Sequence, residues 1–315
     1  MKTRHLVLVL IGSLALQSFQ YDRQLSPVKP ITSTPPHPLM QSLPPAFPAI
    51  SDEELSTEYG REMKIAHVFA SEGDYYRAIT CFRRALILMP ESEIDRMIDA
   101  EYGVVLSYYM AHKFEECLAA FQTSHLLQIP QETAIYRELL VILYDCYHKL
   151  DQNEVAKSLL DVLETKEPLT AHKLEIGTLI EEGNALDAAK LPYAPGYLAD
   201  MISTYCEQQR NPKTAKALNA ILPGAGYWYV GQKTTAMTAL AVNALFTWAA
   251  YEFFHRGYYA AGIFTASLET GWYFGGIMGA GAAAVDYNNY LYKEMGEKIL
   301  VREKLYPILM LNYSF

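Results

Sequence analysis

The chain has 315 residues, of which 51% are hydrophobic and 19% are charged, and its formal net charge at pH 7 is −9. This acidic balance excludes the basic surface that nucleic-acid binding requires, so no nucleic-acid partner is expected. The length allows about two domains. Because the four cysteines form no Cys-x-x-Cys pair, they are predicted to be core thiols rather than a zinc or redox motif.

The first segment, residues 1–20, has the composition of an export signal. Two basic residues precede an apolar run from Leu6 to Leu16, which is shorter than the roughly 20 residues of a membrane span. We predict a signal peptide; the alternatives are an uncleaved anchor and a cytoplasmic N-terminus. Residues 21–50 are predicted to be a linker, because their eight prolines prevent regular helix or sheet.

A helical domain is predicted over residues 51–210. Ser51 followed by Glu54 is the capping-box pattern that starts a helix. Farther along, Gly73 separates two helical stretches. The second stretch places Ala78, Phe82 and Ala85 on one helix face at intervals of four and three, and it ends at Pro90. The pattern predicts a helix–turn–helix unit.

This unit resembles a tetratricopeptide repeat, whose second helix carries Ala-x-x-x-Phe-x-x-Ala-x-x-x-x-Pro. Four residues match these positions: Ala78, Phe82, Ala85 and Pro90. Anchor positions 85, 124 and 163 recur every 39 residues, which predicts two further, degenerate units, and residues 171–209 are expected to cap the stack. The resemblance implies an all-α fold, a tetratricopeptide-like α-solenoid with a groove lined by the first helix of each unit.

The predicted groove is apolar and aromatic. By helical phase it carries eight residues: Met63, His67, Tyr102, Leu106, Tyr109, Val141, Asp145 and His148. Some family members bind a peptide carboxylate with Lys, Arg and Asn at such positions, and those residue types are absent from this set. The groove therefore favours a protein partner that offers a helix or an extended hydrophobic peptide. The alternative is that these side chains pack inside the solenoid.

Residues 211–290 are predicted to form a transmembrane helical hairpin, because two long apolar runs cover 234–254 and 258–285. The stretch that precedes them, Leu-Pro-Gly-x-Gly-x-x-Tyr-x-Gly-Gln, resembles the turn that opens two-helix membrane modules at the C-termini of some exported bacterial tetratricopeptide proteins. The resemblance covers residues 219–290 and implies a membrane location rather than a chemistry. Membrane lipid is the expected partner of residues 234–285, and a tail, 291–315, follows.

Two features of the hairpin are candidates for a specific role. Gly271, Gly275 and Gly279 recur every four residues, a stripe that favours close packing of membrane helices, within the hairpin or by self-association. Glu269 is an intramembrane polar candidate. The alternative for Glu269 is a solvated position at a helix break near the interface.

The two ends of the chain give opposite topologies. An N-terminal signal exports the repeats, which predicts a bacterial inner-membrane protein with a periplasmic tetratricopeptide domain. Basic residues on both flanks of the hairpin favour the cytoplasmic face, which remains the alternative.

No residue pattern indicates a catalytic, cofactor or metal site, because the histidines form no His-x-x-x-His pair and no Gly-x-Ser-x-Gly occurs. We therefore predict a non-enzymatic, membrane-anchored scaffold for protein–protein interaction in envelope assembly or membrane-protein biogenesis. The alternative is a non-catalytic subunit of a transport or channel complex, in which Glu269, Asn243 and the glycine stripe would act.

Overall fold

A computed structural model describes residues 28–32 and 43–315 of the chain. These residues are helical apart from turns and extended segments, and their only β-structure is an isolated parallel bridge between Pro45 and Ser314. The predicted all-α class is confirmed. The predicted signal segment, residues 1–20, lies outside the described residues, as does most of the predicted linker.

The described chain forms two compact units. The first in sequence, here called the repeat unit, comprises residues 43–178 together with 299–315. Its helices are α1 (Asp52–Ser56), α2 (Glu58–Ser71), α3 (Tyr75–Leu88), α4 (Ile94–Met110), α5 (Phe114–Gln122), α6 (Ala134–Lys149), α7 (Asn153–Lys166) and most of α8 (Pro168–Glu181), with short 3-10 helices at His125–Gln128 and Pro307–Met310.

The second, here called the hairpin unit, comprises residues 28–32 and 179–298. Its helices are α9 (Ala185–Ala188), α10 (Gly196–Gln208), α11 (Pro212–Ile221), α12 (Ala225–Val230), α13 (Lys233–His255) and most of α14 (Tyr259–Arg302). The division after residue 178 differs from the predicted boundary at 210. Contacts within the hairpin unit explain the difference, because the Tyr292 hydroxyl donates to the carbonyl of Ile180 and its ring meets that of Tyr205.

Local sequence determines where several helices begin. Both hydrogen bonds of the capping box between Ser51 and Glu54 are present at α1. At α11, Asn211 caps the first amides and Pro212 occupies the first turn, where its missing N–H is not needed.

The repeat unit contains three successive helix pairs, and the same turn geometry joins the two helices within each pair. Its central residue is Gly73, His112 or Asp151, with φ of 81°, 55° and 58°. In each case two consecutive amides donate to carbonyls three and five residues earlier, which is the Schellman arrangement. These residues are 39 apart, so the 39-residue spacing recurs in the turns. Ser124, by contrast, lies beyond the end of α5 and caps the following 3-10 helix.

Three of the four residues of the first repeat-like match are in the core, and the fourth, Pro90, is exposed. Ala78, Phe82 and Ala85 on α3 are fully buried. A Cβ atom on Gly103 of α4 would overlap the Phe82 ring, so these two helices need a glycine at that position to pack this closely. Small residues and one aromatic side chain thus set the contact between α3 and α4. Three of the four cysteines, Cys81, Cys117 and Cys146, are buried free thiols, which confirms their prediction as core residues.

Helices α13 and α14 occupy the two predicted apolar runs, and α14 continues through Glu269 without a break. Among the described residues, no helix combines the length and the apolar character needed to cross a membrane. The transmembrane assignment of residues 211–290 is therefore unsupported. The physical reason is composition: Asn243 and several threonines interrupt α13, and glycines together with Glu269 reduce the apolar character of α14.

The glycines of the stretch that precedes α13 have separate structural reasons. Gly224 and Gly231 have φ of 94° and 93°, and a Cβ atom on Gly226 would overlap the carbonyl of Ala215 on α11. The buried Asn219 side chain accepts a hydrogen bond from the Gly224 amide at 2.9 Å. This stretch is therefore a tight connection between α11 and the long helices.

Candidate functional site

Two segments outside the α-helices lie side by side in the repeat unit, and the second includes the 3-10 helix Pro307–Met310. We call residues 43–50 the strap and residues 305–315 the tail segment. The Ser314 amide donates to the carbonyl of Pro44 at 2.8 Å, the Ala46 amide donates to the carbonyl of Ser314 at 3.4 Å, and the Ser314 hydroxyl donates to the carbonyl of Leu43 at 3.1 Å. The two segments thus form a short parallel pair.

The tail segment is held by a backbone clamp, which we define as Arg137 and Glu138 of α6. The Arg137 guanidinium donates to Glu138 Oε1 at 2.9 Å and to the carbonyl of Met310 at 3.0 Å. Glu138 Oε2 accepts the Asn312 amide at 2.9 Å. Both bonds to the tail segment involve main-chain atoms two residues apart, so the clamp can hold any extended peptide without reading its side chains at these points.

Burial and charge oppose each other at the clamp. The Glu138 side chain is fully buried, and Arg137 is about one-fifth exposed. Burial raises the pKa of the Glu138 carboxyl, while the Asn312 amide and the Arg137 guanidinium act to lower it. A carboxylate in this position depends on both partners. A pocket of about 270 Å³, lined in part by the clamp and by Asn312 and Tyr313, lies beside it.

A second arginine holds the strap. Arg96 of α4 donates to the carbonyls of Pro48 and Ala49 at 2.7 and 3.0 Å, and it pairs with Glu54 and Asp99. The hydrogen bond from Arg96 holds the pKa of Glu54 at about 2. The strap and the tail segment are therefore both bound through carbonyl groups by partly buried arginines.

Asp99, which pairs with Arg96, also contacts His67, with 3.6 Å between His67 Nε2 and Asp99 Oδ1. Burial raises the pKa of Asp99 to about 6, against the attraction of Arg96. Burial, and then the positive charges of Arg96 and Lys64, lower the pKa of His67 to about 4.

The eight predicted groove residues do not form an open surface. Six of them are buried: Met63, Tyr102, Leu106, Tyr109, Val141 and Asp145. The Tyr109 hydroxyl donates to Asp145 Oδ2 at 2.6 Å and so joins α4 to α6. The other two, His67 and His148, are partly exposed. The helical phase identified a face on which the first helices of the pairs meet. The burial of these side chains agrees with the alternative interpretation, in which they pack between helices rather than line an open groove.

Two aromatic residues from outside the helix pairs pack against the core near this face. The Phe47 ring of the strap lies 6.0 Å from the ring of Tyr102. Phe315 packs against the core cluster that contains Met63, and its ring stacks on that of Tyr75 at 6.2 Å. The sequence reasoning missed this cover and the backbone clamp. Its one local signal was the adjacent charged residues Arg137 and Glu138 in the mostly apolar first half of α6.

In the hairpin unit the three predicted packing glycines have different surroundings. A Cβ atom on Gly279 would overlap the hydroxyl of Tyr227, whereas one on Gly271 or Gly275 would meet nothing within 4 Å. Glu269 is partly buried, and its Oε2 atom has no hydrogen-bond partner among the described residues.

The long helices α13 and α14 expose many large apolar side chains. Six examples are more than half exposed: Leu245, Trp248, Tyr251, Ile263, Phe264 and Phe274. Large apolar patches exposed on a folded protein mark interactions with another protein or with lipid, and these two helices supply many of the exposed apolar side chains.

Within the described residues, no group of three or more His, Cys, Asp or Glu side chains could hold a metal ion. Comparison with protein-family models, with curated proteins and with solved structures found no match to this chain. The functional argument therefore depends on the residues described above.

Proposed function

We propose that this protein is a tetratricopeptide-type scaffold whose repeat unit binds extended, apolar segments of protein chain. The observation that carries the proposal is the backbone clamp, which holds the tail segment through the Met310 carbonyl and the Asn312 amide. The tail segment is then the resident occupant of a peptide-binding face. A partner segment takes its place when it offers the same backbone bonds.

The tail segment defines the chemistry of such a partner. Ile308, Met310 and Leu311 are buried, and Phe315 adds an aromatic contact on Tyr75. A partner with a similar apolar spacing and an aromatic residue a few positions after the clamped amide fulfils these contacts. Because the clamp binds main-chain groups, a partner helix, whose amides and carbonyls are already paired, fits less well.

Replacing Asn312 with proline is expected to open the face, because proline has no N–H to donate to Glu138. The loss of one hydrogen bond to a charged group costs about 1.5–3 kcal/mol, which raises the equilibrium constant for release of the tail segment roughly 10- to 150-fold. A dye-labelled peptide of residues 306–315, added to the full chain and followed by fluorescence anisotropy, should bind the Asn312→Pro variant at least tenfold more tightly than the wild type.

Asn312→Ala is the matched control, because it changes the same side chain and keeps the amide. It should bind the peptide as weakly as the wild type. Equal binding by Asn312→Pro and Asn312→Ala would show that the clamp does not gate this face, and absence of peptide binding to both would remove the proposal.

We also propose that the exposed apolar side chains of α13 and α14 attach the scaffold to lipid. A membrane location, with the repeats in the periplasm, is part of the same proposal. The full chain is expected to float with neutral phosphatidylcholine vesicles in a density gradient. Changing Leu245, Trp248 and Phe264 together to serine should reduce the bound fraction at least fivefold, because each large side chain buried in lipid contributes roughly 1.5–3 kcal/mol.

The control changes three exposed apolar residues of the repeat unit, Tyr76, Ile87 and Ile94, to serine. Their loss should leave flotation unchanged. Equal effects of the two triple variants, or no flotation of the wild type, would contradict lipid attachment through the hairpin unit.

A further inference from the structure

A cleft of about 560 Å³ lies within the hairpin unit, between α12, α13 and α14. Thr235, Thr238 and Asn243 line it from α13, and Tyr227 and Trp272 contribute aromatic rings. None of its lining residues is charged. Its volume is typical of small-molecule sites, which cover roughly 300–1,000 Å³.

One of the lining residues, Asn243, has a buried acceptor atom without a donor. Asn243 is 5% exposed, and its amide nitrogen donates to the carbonyl of Ala239 at 2.6 Å. Because the Ala239 carbonyl can only accept a hydrogen bond, the Asn243 amide nitrogen must be the atom that faces it. The Oδ1 atom of Asn243 therefore makes no bond to Ala239. That oxygen is buried and has no partner among the described residues. A buried acceptor without a partner is costly unless something donates to it.

Two glycines on α14 leave room where no helix contact requires them. Gly271 and Gly275 line the cleft, and a Cβ atom on either would enter open space. Gly276 differs, because a Cβ atom there would lie 3.2 Å from the Asn219 side chain. Glycine lowers helix stability by about 1 kcal/mol relative to alanine, and close helix packing does not account for it at positions 271 and 275. Space for a ligand does.

We infer that this cleft binds a small, uncharged, planar molecule that carries an N–H or O–H donor. The donor bonds to Asn243 Oδ1, the ring system lies over the flat glycine backbone, and Tyr227 and Trp272 provide aromatic contacts. The uncharged lining excludes phosphates and carboxylates, which need a positive partner. This inference goes beyond the scaffold function and does not depend on it, since all of its residues belong to the hairpin unit.

The test uses the full chain and two fluorescent probes of similar shape, N-phenyl-1-naphthylamine, which has one N–H donor, and 1-benzylnaphthalene, in which a CH2 group replaces that N–H. The wild type is expected to bind the amine saturably, with one site per chain, and about five- to tenfold more tightly than the hydrocarbon, as one hydrogen bond provides. In Asn243→Leu, which keeps the side-chain size, the two probes should bind equally. If the wild type bound the two probes with equal affinity, the inference would be overturned.

Gly275→Leu fills the cleft and should weaken binding of the amine at least tenfold, while circular dichroism shows unchanged helix content. Gly271→Val is a second filling variant, and Ile221→Ala, at an exposed residue outside the cleft, is the control that should bind as the wild type does. Unchanged binding by both filling variants would place the probe elsewhere. 1-Tetradecanol, a linear chain with one O–H, should compete at least tenfold more weakly than the amine, and equal competition would overturn the planar class.

Discussion

Replacing Arg137 with methionine is expected to lower the free energy of unfolding by about 3–5 kcal/mol, because it leaves the buried Glu138 carboxylate without its cation. Glu138 retains only the Asn312 amide as a donor. The loss should be larger at pH 8 than at pH 5. Burial raises the folded-state pKa of Glu138 further once Arg137 is gone, so stability falls as pH rises through the interval between the unfolded and folded pKa values.

Two controls make this result specific to the clamp. Arg84→Met removes an arginine that is mostly exposed and pairs with Glu62, so its effect should be within about 1 kcal/mol. The double variant Arg137→Met with Glu138→Gln should recover much of the loss, since it also removes the buried charge. Urea unfolding of the full chain at both pH values measures all three. A loss in Arg137→Met no larger than that in Arg84→Met would contradict the buried clamp.

The pair His67–Asp99 is expected to hide two large and opposite pH effects. The pKa of Asp99 is near its ordinary value of 3.8 in the unfolded chain and about 6 in the folded one, so its contribution to stability is lost as pH rises from about 4 to 6. His67 titrates near 6.5 when unfolded and at about 4 when folded, so its contribution is gained as pH rises from about 4 to 6.5. Each shift corresponds to a free energy on the order of 3 kcal/mol, and in the wild type the two effects oppose each other.

Single substitutions should reveal each slope separately. Asp99→Asn removes the Asp99 effect and leaves that of His67, so the free energy of unfolding of this variant rises by about 3 kcal/mol between pH 4 and 6.5. His67→Gln leaves the Asp99 effect, so that variant loses about as much between pH 4 and 6. Urea unfolding at half-unit steps measures both. Two variants whose stability stays parallel to that of the wild type across this range would refute the compensation.

Local features of the sequence predicted local structure well. The Ser51–Glu54 capping box, Asn211 before Pro212, and the spacing of Ala78, Phe82 and Ala85 each depend on residues within one or two helical turns. The sequence could not reveal the backbone clamp, because Glu138 and Asn312 are 174 positions apart. No periodicity connects an acidic residue inside one helix to a main-chain amide that distant.

The groove residues show a different limit of sequence reasoning. Helical phase places Tyr102, Tyr109 and Asp145 on the face that neighbouring first helices share, and this is where the structure has them. Phase cannot tell an open face from a covered one. That difference depends on Phe47 and Phe315, which lie outside the helical pattern.

The pairing of Ser314 with residues of the strap has a kinetic consequence. Repeat folds form from neighbouring contacts and acquire structure progressively, whereas this unit also requires an encounter between positions 271 apart in the chain. Non-local closure of this kind slows folding, because the entropy of a long loop is lost before the contacts form. On the ribosome, residues 43–178 therefore emerge long before the segment that completes their core, and the backbone clamp stays unfilled while the entire hairpin unit is synthesised.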